Sequence, residues 1–216
     1  MKVELLSYTQ PAQYFAENMT ELIAFCARVS NPNNQANYQT SEKLIRYLVK
    51  HQHWSPLEMV SICLEIETTR DIARQLLRHR SFSFQEFSQR YALADLGFEY
   101  KEARLQDEKN RQNSIETDNP ALKAFWETQQ KRVADTAQSA YDWAIQNGIA
   151  KEQARAVLPE GMTVSRLYMN GTLRSWVHYI QLRSENGTQK EHREIAIACA
   201  NAIEPIFPMI KEFITK

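Results

Sequence analysis

"SICLEIETTRDIARQLLRHRSFSFQEFSQRY" (Ser61 to Tyr91) carries three structural signals in succession. Ile62, Leu64 and Ile66 alternate with Glu65 and Glu67, the period of a strand with one wet face. Thr69 can cap a helix through "RDIARQLLRHR", in which Ile72, Ala73, Leu76 and Leu77 form one buried stripe. Arg70, Arg74 and Arg78 recur every four residues on another face. Helical periodicity then fails in a segment rich in arginine and aromatic residues, where Glu86 is the only acid. A solvated helix would intersperse acids among its bases, so this segment is expected to meet an anionic, planar guest.

On the amino-terminal side, "KVELLSY" (2–8) alternates like a strand. "TELIAFCARVS" (20–30) and "TSEKLIRYLVKH" (40–51) have helical spacing, with Thr20 and Thr40 or Ser41 as N-caps, and "NPNNQANYQ" between them reads as loop. Ser55, Pro56 and Glu58 have the pattern of a capping box with proline at the first helical position, so a short helix is expected there. On the carboxy-terminal side, Lys101 to Asn119 reads as a long surface loop. A long helix follows from Pro120 to about Asn147, capped by Asp118 or Asn119 and stopped by Gly148. "KEQARAVLP" reads as a short helix, "MTVSRLYM" as a strand and "TLRSWVHYIQLR" as a helix. Thr188 and Glu191 predict a second capping box at the start of a last helix reaching Pro205. No repeat or linker divides the chain. The expectation is a single α+β domain over residues 1–216, with a small, mainly antiparallel sheet and several packed helices.

The 216 residues carry 26 lysines plus arginines against 26 aspartates plus glutamates, so attraction for anions must be local rather than global. Cys26, Cys63 and Cys199 lie in apolar runs without metal-ligand spacing and read as buried, reduced thiols. The amino terminus lacks the long apolar core of a signal peptide, and no run reaches the ~20 residues of a membrane span. A cytoplasmic protein is expected, with no membrane partner and no DNA partner.

Arginine presents a planar fork of donors that matches phosphate and carboxylate oxygens. Simple C-terminal capping of a helix, worth ~0.3–1 kcal/mol, would account for Arg78 or Arg80 singly. It does not account for Ser88 and Arg90, which lie beyond the helix; a phosphate held by two or more forks does. Phe82, Phe84, Phe87 and Tyr91 also suit anchors for an irregular loop. Ser88 lacks a nucleophile elbow and reads as a ligand donor. His51 and His53 make only a lone His-x-His pair, too little for a metal site. Arg174 and Arg183 are nine residues apart on one helix, hence about 180° from each other at 100° per residue. Either one is structural, or the helix stands between two sites of an oligomer.

Arg78, His79, Arg80, two residues, Ser83, four residues, Ser88, one residue, Arg90: this resembles the signature of the flavin-dependent thymidylate synthases. The likeness extends to "ARVS" (27–30), "KHQHWSPLE" (50–58), "ARQLLRHR" (73–80), "ARAVLP" (154–159) and "LRSWVHYIQLR" (173–183), in the family's order. The resemblance implies a homotetramer with FAD and dUMP at subunit interfaces, which would let Arg174 and Arg183 serve neighbouring pockets. It implies Gln75, Arg78, Glu86, Ser88, Arg90, Arg155 and Arg183 as dUMP ligands, with Arg183 and Ser88 as catalytic residues. It implies Ser30, Ser55, Glu58, Arg78, His79, Arg80, Arg174 and His178 as the FAD-contacting set, His53 and Tyr91 near the folate and flavin ring, and no metal. The implied reaction converts dUMP to dTMP with 5,10-methylenetetrahydrofolate as carbon donor and NADPH as reductant of the flavin.

The sequence departs from the family's usual pattern at Thr172 and His178, where asparagine is frequent, and "SENGTQKEH" (184–192) is a less common version of its segment, to which no role is assigned. Two rival readings are a single-strand nucleic-acid binding module built on the arginine and aromatic stretch, and a metal-dependent nucleotide hydrolase using His51, His53 and Glu58. Zero net charge and the lack of a nucleic-acid-binding motif disfavour the first.

Overall fold

The computed structural model describes residues 1–12 and 15–215. In chain order these form β1 (Lys2–Tyr8), α1 (Met19–Ala27), α2 (Ser41–Lys50), β2 (Ser61–Thr69), α3 (Arg70–Leu76), β3 (Ser83–Glu86), β4 (Arg104–Gln106) and β5 (Ser114–Glu116). There follow α4 (Pro120–Gln146), α5 (Lys151–Ala154), β6 (Val164–Thr172), α6 (Leu173–Arg183) and α7 (Lys190–Ile203), with short 3-10 turns between. Four strands make one sheet in the order β1-β2-β6-β3, every neighbour antiparallel. β4 and β5 form a separate hairpin.

Alternation along the two central strands explains the core. Ile62, Leu64 and Ile66 of β2 and Leu167 and Met169 of β6 point to one face and are fully buried. Trp176, Val177 and Ile180 of α6 and Ile195, Cys199 and Ile203 of α7 pack in the same cluster. The opposite face carries Glu65, Glu67 and Arg166, with Arg166 Nη2 2.5 Å from Glu67 Oε1. Both central strands run straight into helices, β2 into α3 and β6 into α6. Thr172 Oγ1 accepts from the Ser175 N–H at 3.3 Å and so caps α6. Thr69, at the matching place before α3, uses its hydroxyl differently, donating to Asp71 and accepting from Lys101 Nζ at 2.7 Å.

Several expectations need correction, each for a local reason. The helix after Thr69 ends at Leu76 rather than running to Arg80. The backbone N–H of Arg78 bonds Gln75 and that of His79 bonds Leu76, a tightening turn that releases the "RHR" side chains from the helical stripe. Arg70 and Arg74 are structural: they pair with Glu86 and Glu160. No capping box forms at Ser55; Ser55–Met59 is a 3-10 turn without a side-chain cap, and Glu58 pairs with Arg174 instead. The second box is absent too, because Glu191 is drawn to Arg104 and Thr188 Oγ1 bonds the Leu182 carbonyl at 3.4 Å. The first helix is capped by Asn18, whose side chain accepts from the Glu21 N–H, not by Thr20. The 101–119 segment contains the β4–β5 hairpin and is not all loop. Of the thiols, only Cys199 is fully buried; Cys26 and Cys63 are partly exposed.

Gly171, on the buried face of β6 opposite Ile62, leaves room for one ring. A Cβ there would lie 2.6 Å from Phe82 Cε1 and would also strike Cδ1. Phe82 cannot swing away cheaply, since it packs edge-on to Trp176 at 4.8 Å and to Tyr179 at 6.1 Å. Gly171→Ala is therefore expected to lower unfolding free energy by about 1–3 kcal/mol. An unchanged denaturant midpoint would show that the ring has space to retreat.

Candidate active site

Residues 77–91 form a path from the end of α3, through edge strand β3, to a turn near α5. Phe82 is its deep anchor, nearly buried in the core, and Phe84 packs partly against the same cluster. Ser175 Oγ, near the start of α6, donates to the Ser81 carbonyl at 3.1 Å and pins the segment from the other side. The apolar anchors alternate with polar residues, so Arg78, Arg80 and Ser83 remain exposed while the backbone is fixed. Tyr91 is no core anchor; it is 78 % exposed, with the Arg90 guanidinium 5.9 Å from its ring centre.

The sequence-predicted site residues fall into four neighbourhoods of the single chain. In the first, Arg183 Nε donates to His79 Nε2 at 3.0 Å, and Gln75 Oε1 lies 3.1 Å from His192 Nδ1. Arg78 is close enough to act electrostatically on His79. In the second, Ser88 Oγ accepts from the Arg90 N–H at 3.4 Å, Arg90 Nε lies 3.6 Å from Glu152 Oε2, and Arg155 Nε donates to the Glu152 carbonyl at 3.3 Å. In the third, Glu58 pairs with Arg174, and Trp54 lies against His178 with ring centres 4.4 Å apart. Ser55 opens the turn that carries Glu58. In the fourth, Ser30 lines an open depression of about 550 Å³ with Arg28, Lys43 and Tyr47. Tyr47 also stands 6.3 Å from the His53 ring. Glu86 faces inward, accepting from Ser165 Oγ at 3.0 Å with Arg70 at 3.7 Å.

Arg174 and Arg183 thus take different partners at opposite ends of α6, as the nine-residue spacing requires. Arg78, Arg80, Arg155 and Arg183 have no carboxylate partner among the described residues, whereas Arg70, Arg74, Arg90 and Arg174 do. Cations without internal partners are available to an external anion. Several side chains absent from the sequence-based site belong to these neighbourhoods, Trp54, Glu152 and Lys43 beside Arg28, Gln189 and His192. His192 was visible in principle, because His192, Ile195, Ala196, Cys199, Ala200 and Ile203 share the buried stripe of α7 and a histidine there must find a polar partner. Among the described residues no group of three or more His, Cys, Asp or Glu is arranged to hold a metal ion, and no helix is long and apolar enough to cross a membrane.

Burial, with Arg183 and then Arg78 nearby, pushes His79 down to about 4. Burial, Arg183 and His79 push His192 down to about 3. Neutral His79 is what the geometry needs, since a bare Nε2 accepts the Arg183 N–H. Both folded-state values lie below the ordinary histidine value, so the unfolded chain binds protons first as pH falls. The stability that the two neutral rings contribute should be complete above about pH 6.5 and should decline from there to about pH 4 for His79 and about pH 3 for His192. The carboxylates held below their ordinary range, Glu191 and Glu212 among them, begin to lose their contribution in the lower part of the same window. Urea midpoints measured across that window should fall with acidification, and less steeply in His192→Asn. A flat profile would mean that the two rings protonate freely in the folded state.

The residues at hand suit a flavin dinucleotide in chemical type. Hydroxyl and ammonium donors at Ser30 and Lys43 match pyrophosphate oxygens, and the aromatic pair Trp54 and His178 matches a planar ring.

The sequence matches the family described as Thy1, thymidylate synthase complementing protein, over residues 4–209. A probable flavin-dependent thymidylate synthase of Paramecium bursaria Chlorella virus 1 is 46% identical over 210 residues, 97% of each chain. A flavin-dependent thymidylate synthase of Synechocystis sp. is 47% identical over 213 residues, again 97% of each. Among solved structures, the UMP/dUMP methylase PolB from Streptomyces cacaoi, bound with 5-Br dUMP, superposes with a TM-score of 0.83 at 26% identity, covering 98% of this chain and 93% of that one. With the signature arginines and serines placed on one anchored segment and the match running nearly end to end, the chain belongs to the thymidylate synthase complementing protein family.

Proposed function

We infer that the protein is a flavin-dependent thymidylate synthase that reductively methylates dUMP to dTMP, with FAD as cofactor, 5,10-methylenetetrahydrofolate as carbon donor and NADPH as reductant. The near full-length identity to relatives bearing that activity in their names supports the reaction class. The observation that carries the assignment is the half-buried Arg183 guanidinium, held by a neutral imidazole at 3.0 Å rather than by an acid. Its charge is undiminished and its terminal nitrogens are left to a ligand.

In the balanced reaction the methylene carbon leaves the two folate nitrogens, each of which takes a proton, and joins C5 of the uracil, which gives up its own proton. A hydride equivalent from NADPH completes the methyl group, and tetrahydrofolate and NADP⁺ leave. FAD, when bound, supplies the two-electron redox chemistry. The chain orients and polarises. Arg183 donates toward the pyrimidine carbonyls, stabilising the negative charge that grows there as C5 becomes nucleophilic. Arg78, Arg90, Arg155 and Gln75 grip the nucleotide, Ser88 adds a hydroxyl donor, and Glu86, fixed by Ser165 and Arg70, offers an acceptor for sugar hydroxyls. Ser30, Ser55, Glu58, His79, Arg80, Arg174 and His178 serve the FAD, with His53 and Tyr91 flanking the folate and flavin ring. No cysteine takes part; desolvation raises all three thiols above their ordinary values, which disfavours thiolate.

Four neighbourhoods spread over one chain make a complete site only if copies associate, and we place the enzyme in a homotetramer whose sites are shared between subunits. Solution mass reads this directly. Purified protein should absorb as a flavoprotein, be bleached by NADPH without oxygen, and release tritium from dUMP labelled at C5 when methylenetetrahydrofolate is added. Absence of both flavin and tritium release would overturn the assignment.

A further inference from the structure

We propose that Gln189 and His192 are positioning residues that fix the polarity of the Gln75 side-chain amide, so that Gln75 presents an N–H, never its carbonyl, to an acceptor oxygen of the nucleotide. This rests on the placement of Gln75 against dUMP in the functional reading above.

The polarity follows from a chain of hydrogen bonds with a fixed end. Burial works against the charge on Glu191, but Arg104 and the neighbouring donors outweigh it and hold the carboxylate ionised, and a carboxylate only accepts. Gln189 Nε2 donates to Glu191 Oε2 at 3.0 Å, so the Gln189 oxygen is the atom turned the other way. That oxygen lies 2.8 Å from the Gln75 amide, which must therefore turn its nitrogen toward it. The Gln75 oxygen is then the atom 3.1 Å from His192 Nδ1, and only an Nδ1–H can satisfy it. The opposite tautomer would set an imidazole lone pair against a carbonyl oxygen. His192 is fully buried and wedged between Tyr179, with ring centres 5.8 Å apart, and His79, at 6.1 Å, so its ring has no freedom to turn. Tyr179 and His79 are the titratable groups facing the ring and Arg183 the nearby cation. Protonation of the ring would keep the Nδ1–H, so the polarity does not depend on pH. With the Gln75 oxygen and one of its hydrogens engaged, a single N–H remains to donate. An unanchored glutamine would offer oxygen or nitrogen alike; an oxygen facing a phosphate or a uracil carbonyl is repelled.

The test uses FAD-loaded enzyme and measures dUMP dissociation constants from the flavin absorbance change. His192→Leu, which keeps volume but removes the donor, should weaken dUMP roughly tenfold with flavin content unchanged. His192→Asn, whose amide nitrogen can occupy the Nδ1 position, should recover most of that loss, which a purely structural role would not produce. Gln75→Leu should weaken dUMP at least as much, and adding His192→Leu to it should cost nothing further. If His192→Leu does not fold, Gln189→Leu, with a loss of roughly threefold, takes its place. Should Gln75→Leu leave dUMP binding intact, the contact of Gln75 with the nucleotide is what fails. Should Gln75→Leu weaken it while His192→Leu does not, or should His192→Asn bind as poorly as His192→Leu, the positioning role is overturned.

Discussion

Arg183→Ala enzyme is expected to purify folded and yellow and to form dTMP roughly 10²–10³-fold more slowly than the parent, the usual cost of deleting one preorganised charge-stabilising donor. Its Nε–H is spent on His79 Nε2 at 3.0 Å, which fixes the plane of the guanidinium. The imidazole, pushed down to about 4, cannot repel the cation or compete for its remaining donors near neutral pH. An arginine tied to a carboxylate, such as Arg74 on Glu160, would have part of its field cancelled before any ligand arrives. Arg183→Lys should recover little, because an ammonium lacks the fork needed to hold His79 and a ligand together. Flavin content separates this loss from a folding defect: Arg183 ends α6, and of the residues proposed for FAD it bonds His79, whereas Arg174 pairs with Glu58 and His178 packs on Trp54. Turnover within a fewfold of normal in Arg183→Ala would remove this residue from the mechanism.

What could be read in the sequence was whatever a local rule controls. β2 and β6 alternate because one sheet face is buried, and both were visible, although β6 runs to Thr172 rather than Met169. The small antiparallel sheet and the helices around it followed from the same periodicities, but strand order did not, since nothing local announces that β3 joins the edge of β6. The hairpin of β4 and β5 was missed because three-residue strands are too short to show a period. Both capping boxes failed for one reason. Glu58 and Glu191 each meet a distant arginine, Arg174 and Arg104, and a charge-assisted pair outcompetes a local cap. The signature residues were legible through resemblance, and the structure distributes them over separate neighbourhoods that no local rule foretells. His192 escaped because a buried histidine looks like any other stripe residue until its partner, Gln75, is found 117 positions away.

Trp176→Ala should lower unfolding free energy by roughly 3–5 kcal/mol, the range for removing a large aromatic from a packed core, and the thermal midpoint by ~10 °C for a chain of this size. Trp176 is fully buried between the sheet and α7, and its indole N–H donates to the Ile62 carbonyl at 3.0 Å. Its ring is the wall against which Phe82 rests, edge-on at 4.8 Å, and Tyr179 closes the group at 6.0 Å. Trp176→Phe keeps most of the surface but leaves the Ile62 carbonyl without its donor, so a smaller loss of about 1–3 kcal/mol is expected. Leu182→Ala, on the exposed side of the same helix, should stay within about 0.5 kcal/mol. The consequence reaches the site, because Phe82 sits between Arg80 and Ser83 and is the apolar side chain that anchors the signature segment in the core. Once its wall is gone, the arginines on either side lose their fixed backbone, and nucleotide affinity should fall even at temperatures where the Trp176→Ala protein remains folded. If Trp176→Ala costs no more than Leu182→Ala, or folded Trp176→Ala binds dUMP as tightly as the parent, the core does not hold that segment in place.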